Sequence, residues 1–336
     1  MLKKKYFPML LDYIRGRFLF NNTIITSDCT CRCVMCNYWR MEKAYMSRKL
    51  FMKVMKTLEN LGSHTISLTG GEPMIHPSFF DFVKLASKKE FYINNATNGT
   101  LLSEKNVRKM KEAKIDSVYI SIDSLNPKIS AWIRGFPNQL KLALNGIKLL
   151  RKYGIPRSAN TLLGRHNLND FKDIVIQLDE TYDTPTTLVF PDPSIGPLEE
   201  KSLEGIPNYK FTEQEISKVV DELISLKKQG YRVANTLTYL KDIKHAYTGE
   251  KRHIPCFGGK YSVNIYWDGR VTPCFNKQNT ICQIDELTKE HLEKGTECYD
   301  CLSQCFVELS FLGDCIKNRR YYTALKESML NLKHFT

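Results

Sequence analysis

Three cysteines, Cys29, Cys33 and Cys36, stand at metal-ligand spacing in the run Asp28-Cys-Thr-Cys-Arg-Cys-Val-Met-Cys-Asn37. The pattern is C-x3-C-x2-C, and it follows a β-branched run over 22–26 that reads as a strand. The thiolate is the metal-binding form of cysteine, and a cubane iron–sulfur cluster usually takes four. Three ligands leave one iron open to a group that is not protein. Cys31 supplies a fourth thiol, so structural zinc is the competing reading. Zinc sites normally gather two short pairs from separate turns, and four ligands within one eight-residue loop would be cramped. Cys31 therefore reads as a bystander, or as a thiol behind the ligands.

Seven further cysteines lie from Cys256 onward, eleven in all. Cys256 and Cys274 frame Gly269 as C-x12-G-x4-C, and Cys298, Cys301 and Cys305 follow as C-x2-C-x3-C. Asp268-Gly269 is a strong hairpin signal between two β-rich runs, and that hairpin would bring Cys256 and Cys274 together. Cys282 and Cys315 stand alone, as buried small hydrophobes commonly do. Zinc competes more strongly here, because a C-x2-C pair closing on a hairpin pair is ordinary zinc geometry.

Positioning these residues needs a scaffold, and 336 residues allow one large barrel plus an appendage. Short β-branched runs alternate with helix-length amphipathic segments, the mark of βα units and a parallel sheet. Strands are predicted at 22–26, 64–69, 91–97, 117–122, 158–163 and 186–190, and helices at 47–61, 77–89, 103–113, 139–153, 168–180 and 212–228. Gly70-Gly71-Glu72, Thr97-Asn98-Gly99 and Ser121-Ile122-Asp123 fall at the C-terminal ends of these strands, and Asn160 lies within the fifth. In eight-unit barrels the chemistry sits at that end. The Pro-rich stretch from Pro191 to Pro207 reads as an irregular connection, with a substrate-side loop as the alternative. The expected division is a basic, apolar helix over 1–20, a barrel over 21–230 and a Cys-rich extension over 231–336.

Charge and composition narrow the classes. With 49 basic and 36 acidic residues the net charge is +13, which could attract nucleic acid, an anionic membrane or an anionic substrate. No basic cluster with interleaved aromatics appears, which speaks against nucleic acid. No run of 18 apolar residues could span a bilayer. Asp12, Arg15 and Arg17 interrupt the apolar N-terminal stretch, so it does not read as an export signal. Tight cysteine spacings without such a signal point to metal in a reducing, cytoplasmic compartment, not to disulfides.

The cysteine loop, its strand and the Gly-Gly-Glu after the next strand together resemble the radical S-adenosylmethionine (SAM) superfamily. The resemblance implies an α/β fold, a partial (β/α)6 TIM-like barrel. It implies a [4Fe–4S] cluster on Cys29, Cys33 and Cys36 whose open iron chelates SAM. Gly70, Gly71 and Glu72 would then meet the SAM amino group, Ser121 and Asp123 the ribose hydroxyls, and Asn98 and Asn160 would face SAM. Many members carry an aromatic residue straight after the third cysteine; here Asn37 stands there, followed by Tyr38 and Trp39. The C-terminal part is similar to the SPASM and twitch extensions, with the run after Cys298 shortened. That implies at least one auxiliary [4Fe–4S] cluster on Cys256, Cys274 and two of Cys298, Cys301 and Cys305, with a second, incompletely ligated cluster as the alternative.

The implied chemistry is reductive cleavage of SAM to a 5′-deoxyadenosyl radical that takes hydrogen from a substrate, the auxiliary cluster assisting oxidation or bond formation. An electron donor such as flavodoxin or ferredoxin is implied as a partner. A small-molecule or lipid substrate is the leading expectation. Peptide or protein maturation is the second, since the first strand near residue 22 leaves no room for a recognition domain before it. A non-catalytic iron–sulfur or zinc protein binding nucleic acid is the third. Residues 1–20 would either flank the barrel or lie on anionic membrane as a basic amphipathic helix.

Overall fold

The structure is a computed structural model and describes residues 20–191, 211–247, 252–295, 297–299 and 301–314. Six strands come from the β-branched runs: β1 Phe20–Thr26, β2 Thr65–Gly70, β3 Tyr92–Thr97, β4 Ser117–Ser121, β5 Arg157–Leu162 and β6 Thr186–Val189. The helices between them are α1 Arg48–Leu61, α2 Phe79–Lys88, α3 Glu104–Glu112, α4 Pro127–Arg134, α5 Gln139–Lys152 and α6 Phe171–Glu180. Then come α7 Glu213–Lys228 and α8 Leu237–Tyr247, a hairpin of β7 Ser262–Ile265 and β8 Arg270–Thr272, a short β9 Cys282–Gln283, α9 Lys289–Glu293 and α10 Gln304–Asp314.

Among the described residues one nine-stranded sheet runs β6-β5-β4-β3-β2-β1-β7-β8-β9. Strands β1 to β6 are parallel to their neighbours, as βα units require. Strand β7 pairs with β1 in parallel, so the C-terminal region extends the barrel's own sheet. Period-two alternation sorts the side chains. Ile66, Leu68, Ile93, Val118 and Ile120 pack with Phe51, Val54 and Phe82 of the helices in a first core. The opposite face is polar and paired across strands: Asn22 donates to Asn264 at 3.0 Å, Ser67 to Asn94 at 2.6 Å and Tyr92 to Ser117 at 2.9 Å.

A second core joins Leu163, Leu188 and Phe190 to α6, α7 and α8, and it includes Cys256, Cys274 and Phe306. Helix starts follow local chemistry: Ser47 accepts from Leu50 N ahead of α1, and Thr212 with Glu215 forms a capping box ahead of α7. All six strands and six helices read from the sequence are present, with ends shifted by no more than three residues. Sequence reading missed α4, α8, α9 and α10. The first is only eight residues long, although Asn126 caps it and Pro127 opens it. Residues 1–19, most of the Pro-rich stretch and Cys315 lie outside the described residues.

Candidate functional site

The cysteine loop leaves β1 and is fastened on two sides. Towards β2, Gly71 N donates to Thr26 O at 2.9 Å and Glu72 N to Asp28 O at 2.7 Å. A Cβ on Gly70 would stand 2.2 Å from Thr26 O, and one on Gly71 2.1 Å from Asp28 O. Only glycine lets the two strand ends close like this. Towards α4, Arg32 N donates to Arg134 O at 3.0 Å and Val34 N to Ile133 O at 2.9 Å. Trp39 Nε1 donates to Cys33 O at 3.1 Å, and Tyr38 packs edge-on against Trp267 of the β7–β8 turn. The tryptophan after the cysteines thus packs the loop, and the C-terminal hairpin braces it.

The polar residues at the strand ends divide into two groups. Glu72 is fully buried and accepts from Thr97 Oγ1 at 2.9 Å, Asn98 N at 2.8 Å and Met74 N at 3.3 Å. Burial pushes its carboxyl up to about 7, those hydrogen bonds opposing. Asn98 Nδ2 donates to Thr30 Oγ1 at 2.9 Å and points at Cys29 Sγ, 3.6 Å away. Asp123 accepts from Leu162 N at 3.0 Å and sits 2.5 Å from an Arg134 guanidinium nitrogen. These three carboxylate and amide groups are engaged by protein. Ser121 and Asn160, register neighbours on β4 and β5, are half-buried. Their side chains make no hydrogen bond among the described residues, leaving them available at the barrel mouth.

Arg134 is the residue that sequence reading missed. Burial works against its charge, but Asp123 and the sulfurs of Cys33 and Cys31 outweigh it and raise its pKa. Its Nε is buried without a hydrogen-bond partner among the described residues. Cys33 is pulled down by the hydrogen bond from Cys31, against burial, with Arg134 helping. Cys29 is pushed up by burial, and the charges of Glu72, Cys33 and Cys36 add to it. A metal's positive charge is what would ionise such a thiol. Three thiols in mutual electrostatic reach, a buried cation and an orphaned donor fit an anionic [4Fe–4S] cluster and the carboxylate of SAM. Among the described residues no three His, Cys, Asp or Glu side chains converge on a single metal ion.

A second cysteine centre is assembled from distant segments. Cys256 and Cys298 exchange backbone hydrogen bonds at 2.7 and 2.9 Å. Gly258 lies against both Cys256 Sγ and Cys274 Cβ, so the hairpin does bring these cysteines together. Cys274 Sγ accepts from Lys277 N at 3.2 Å, and Ser310 Oγ lies 3.8 Å from Cys256 Sγ. Burial pushes Cys305, on α10, up to about 11, with Cys256 and Cys274 contributing. Cys301 is buried, its carbonyl held by Arg252. That guanidinium is 2% exposed, and it also bonds Asp242 at 2.9 Å and Ile254 O at 2.8 Å. Cys282 is elsewhere, in the first core, where burial and then Glu286 and Asp285 push it up to about 11. Cys256, Cys274, Cys298 and Cys305 lie within electrostatic reach of one another, and four thiols fit one iron–sulfur cluster.

A partial α/β barrel bearing a three-thiol loop at the C-terminal ends of its strands defines an iron–sulfur domain of the SAM-binding type. Residues 23–178 match the model of the radical SAM superfamily. The family's cofactors are a [4Fe–4S] cluster and SAM. The tungsten-containing aldehyde ferredoxin oxidoreductase cofactor-modifying protein of Pyrococcus furiosus is 28% identical over 265 residues, 76% of this chain and 70% of that protein. The AdoMet-dependent heme synthase of Methanosarcina barkeri is 28% identical over 149 residues, and the match spans only 44% of this chain and 43% of that protein. Native anSMEcpe with bound AdoMet and Cp18Cys peptide superposes with a TM-score of 0.64 at 17% identity, covering 94% of this chain and 95% of that one. That likeness is one of fold.

Proposed function

We propose that the chain is a radical SAM enzyme that cleaves SAM reductively and takes hydrogen from a small-molecule or lipid substrate. The observation that carries this is the three-thiol loop locked between Gly70-Gly71 and the end of α4, with buried Arg134 beside it. When bound, cluster and SAM supply one-electron cleavage and hydrogen-atom abstraction. The protein's residues hold and shield. Cys29, Cys33 and Cys36 ligate; Arg134 neutralises the thiolates and offers its free Nε to an anion. Asn98 donates towards Cys29, and Glu72 fixes the turn that carries Asn98. Ser121 and Asn160 are the groups free to bind SAM or substrate. Cys256, Cys274, Cys298 and Cys305, with Cys301 as the alternative fourth, would hold one auxiliary cluster assisting oxidation or bond formation. The barrel spans 21–230 and the auxiliary region 231–336.

Sequence similarity to the cofactor-modifying protein of P. furiosus supports the small-molecule reading. Fold likeness to anSMEcpe with its peptide favours peptide maturation as the second reading. Among the described residues no helix is long and apolar enough to cross a membrane, and we place the enzyme in the cytoplasm. The test is 5′-deoxyadenosine formation by anaerobically reconstituted protein with SAM and dithionite, beside a Cys29/Cys33/Cys36→Ala variant. Product from the wild type alone is expected. Zinc without iron in the reconstituted protein would overturn the enzyme reading.

A further inference from the structure

Helix α4 lies between β4 and α5, where a simple βα repeat would have one helix. Its last turn is clamped to the cysteine loop, and a Cβ on Gly135 would stand 2.4 Å from Arg32 O. The helix carries Arg134, so its position against the strand ends matters. Gln139, the first residue of α5, makes that connection while only 1% exposed. Its Nε2 donates to Asn98 O at 2.6 Å and to Ser121 O at 2.9 Å. Its Oε1 accepts from Ser130 Oγ at 2.8 Å, and Ser130, equally buried, lies in the middle of α4. One amide thus uses both N–H bonds and its carbonyl to join β3, β4 and α4.

Each of the three joined elements carries a group of the first centre. Asn98 Nδ2 stands 3.6 Å from Cys29 Sγ. Ser121 is one of the two mouth residues whose side chains make no hydrogen bond among the described residues. On α4, Arg134 Nη1 stands 3.9 Å from Cys33 Sγ and the guanidinium pairs with Asp123. Strand pairing does not set the spacing of Asn98 and Ser121, because the β3–β4 register ends one residue earlier, at Thr97 and Ile120. The Gln139 amide bridges the two carbonyls just past that point. Groups that orient the residues touching a bound cofactor commonly matter nearly as much as those residues themselves.

We propose that Gln139 is a positioning residue for SAM: its amide sets the spacing of Asn98, Ser121 and α4, and thereby the affinity of the barrel mouth for SAM. The proposal rests on the enzyme reading above. Side chains of similar length cannot replace the amide. Ionised glutamate accepts from Ser130 but has no proton for the two carbonyls, and methionine fills the space without any of the three bonds.

The experiment measures SAM binding to anaerobically reconstituted protein by equilibrium dialysis, with site number and Kd fitted separately. Iron content, thermal unfolding and the EPR change that SAM causes in the dithionite-reduced protein are recorded beside it. The variants are Gln139→Met, Gln139→Glu, Ser130→Ala and, as a destabilised control in the second core, Val219→Ala. Gln139→Met is expected to weaken SAM binding by about tenfold and alter the EPR change, with first-centre iron retained. Gln139→Glu should weaken it at least as much, since it lacks the same two donors. Ser130→Ala, which removes one bond, should weaken it by about threefold. Val219→Ala should lower the unfolding temperature and leave Kd unchanged. Wild-type Kd in both Gln139 variants would overturn the proposal, whatever fraction of the protein holds iron. So would a weakening in Val219→Ala equal to theirs. Should the Gln139 variants not fold, Ser130→Ala decides: a wild-type Kd there overturns the proposal and a threefold loss supports it. Wild type that holds iron and binds no SAM would overturn the enzyme reading instead, and this proposal with it.

Discussion

The two cysteine centres are built in opposite ways. The first takes its three thiols from eight consecutive residues and is braced by contacts to β2, α4 and the hairpin turn. The second collects its thiols over fifty residues, from the segment after α8 to the start of α10, and depends on Arg252 to tie the pieces. A local loop has its ligands near one another before folding. A dispersed site has them together only once the surrounding core exists. The first centre should therefore tolerate damage elsewhere, and the second should not.

The strongest way to test that contrast is to remove one centre at a time. A Cys256/Cys274→Ala variant should lose all C-terminal iron while retaining SAM cleavage, read by iron content and 5′-deoxyadenosine. Cys29/Cys33/Cys36→Ala should do the reverse, and loss of both irons in either variant would break the comparison. Next comes Arg252→Ala, which strands a buried Asp242 and should cost about 3–5 kcal/mol. Thermal unfolding should report that loss, with C-terminal iron falling before first-centre iron; equal loss at both would refute the dependence on Arg252.

A smaller effect is expected at Glu72. Its folded pKa of about 7 exceeds the ordinary 4.5 because of burial. Between those values the folded state keeps a proton that the unfolded chain has released. Metal-free protein should thus be most stable below pH 4.5 on this account and lose that contribution as pH rises through 7. Glu72→Gln should flatten the slope of the urea midpoint against pH across this window. Last, Trp39→Phe removes one hydrogen bond to Cys33 O and should cost about 1 kcal/mol in chemical denaturation, without changing iron content.

Much of this was legible in the chain. Short β-branched runs and helix-length amphipathic segments marked β1–β6, α1–α3 and α5–α7 because local preference and tertiary packing agree there. Cys29, Cys33 and Cys36 were legible because their spacing is the site. The second centre was legible only as a set of cysteines: spacing does not tell that Cys282 enters the first core while Cys305 joins Cys256. Arg134 and Arg252 could not be picked out among 49 basic residues, since what distinguishes them is burial beside a carboxylate far away in sequence. Glu72 and Asp123 read as groups facing a ligand. Their carboxylates also hold protein groups that no spacing announces, Thr97 and Asn98 in one case and Leu162 and Arg134 in the other.

The pairing of β1 with β7 has a consequence for how the protein is made. Asn22 and Asn264 meet across 242 positions, so the strand leading into the cysteine loop waits for most of the chain before one of its edges is covered. During synthesis that edge presents unpaired N–H and C=O groups, a template for wrong partners, and closing so long a loop is slow. Iron delivered early would meet three ready thiols on a strand still open on one side. Birth order, and not only geometry, would separate the two centres: the first could be loaded on a growing chain, the second only once residues 256–305 have been made.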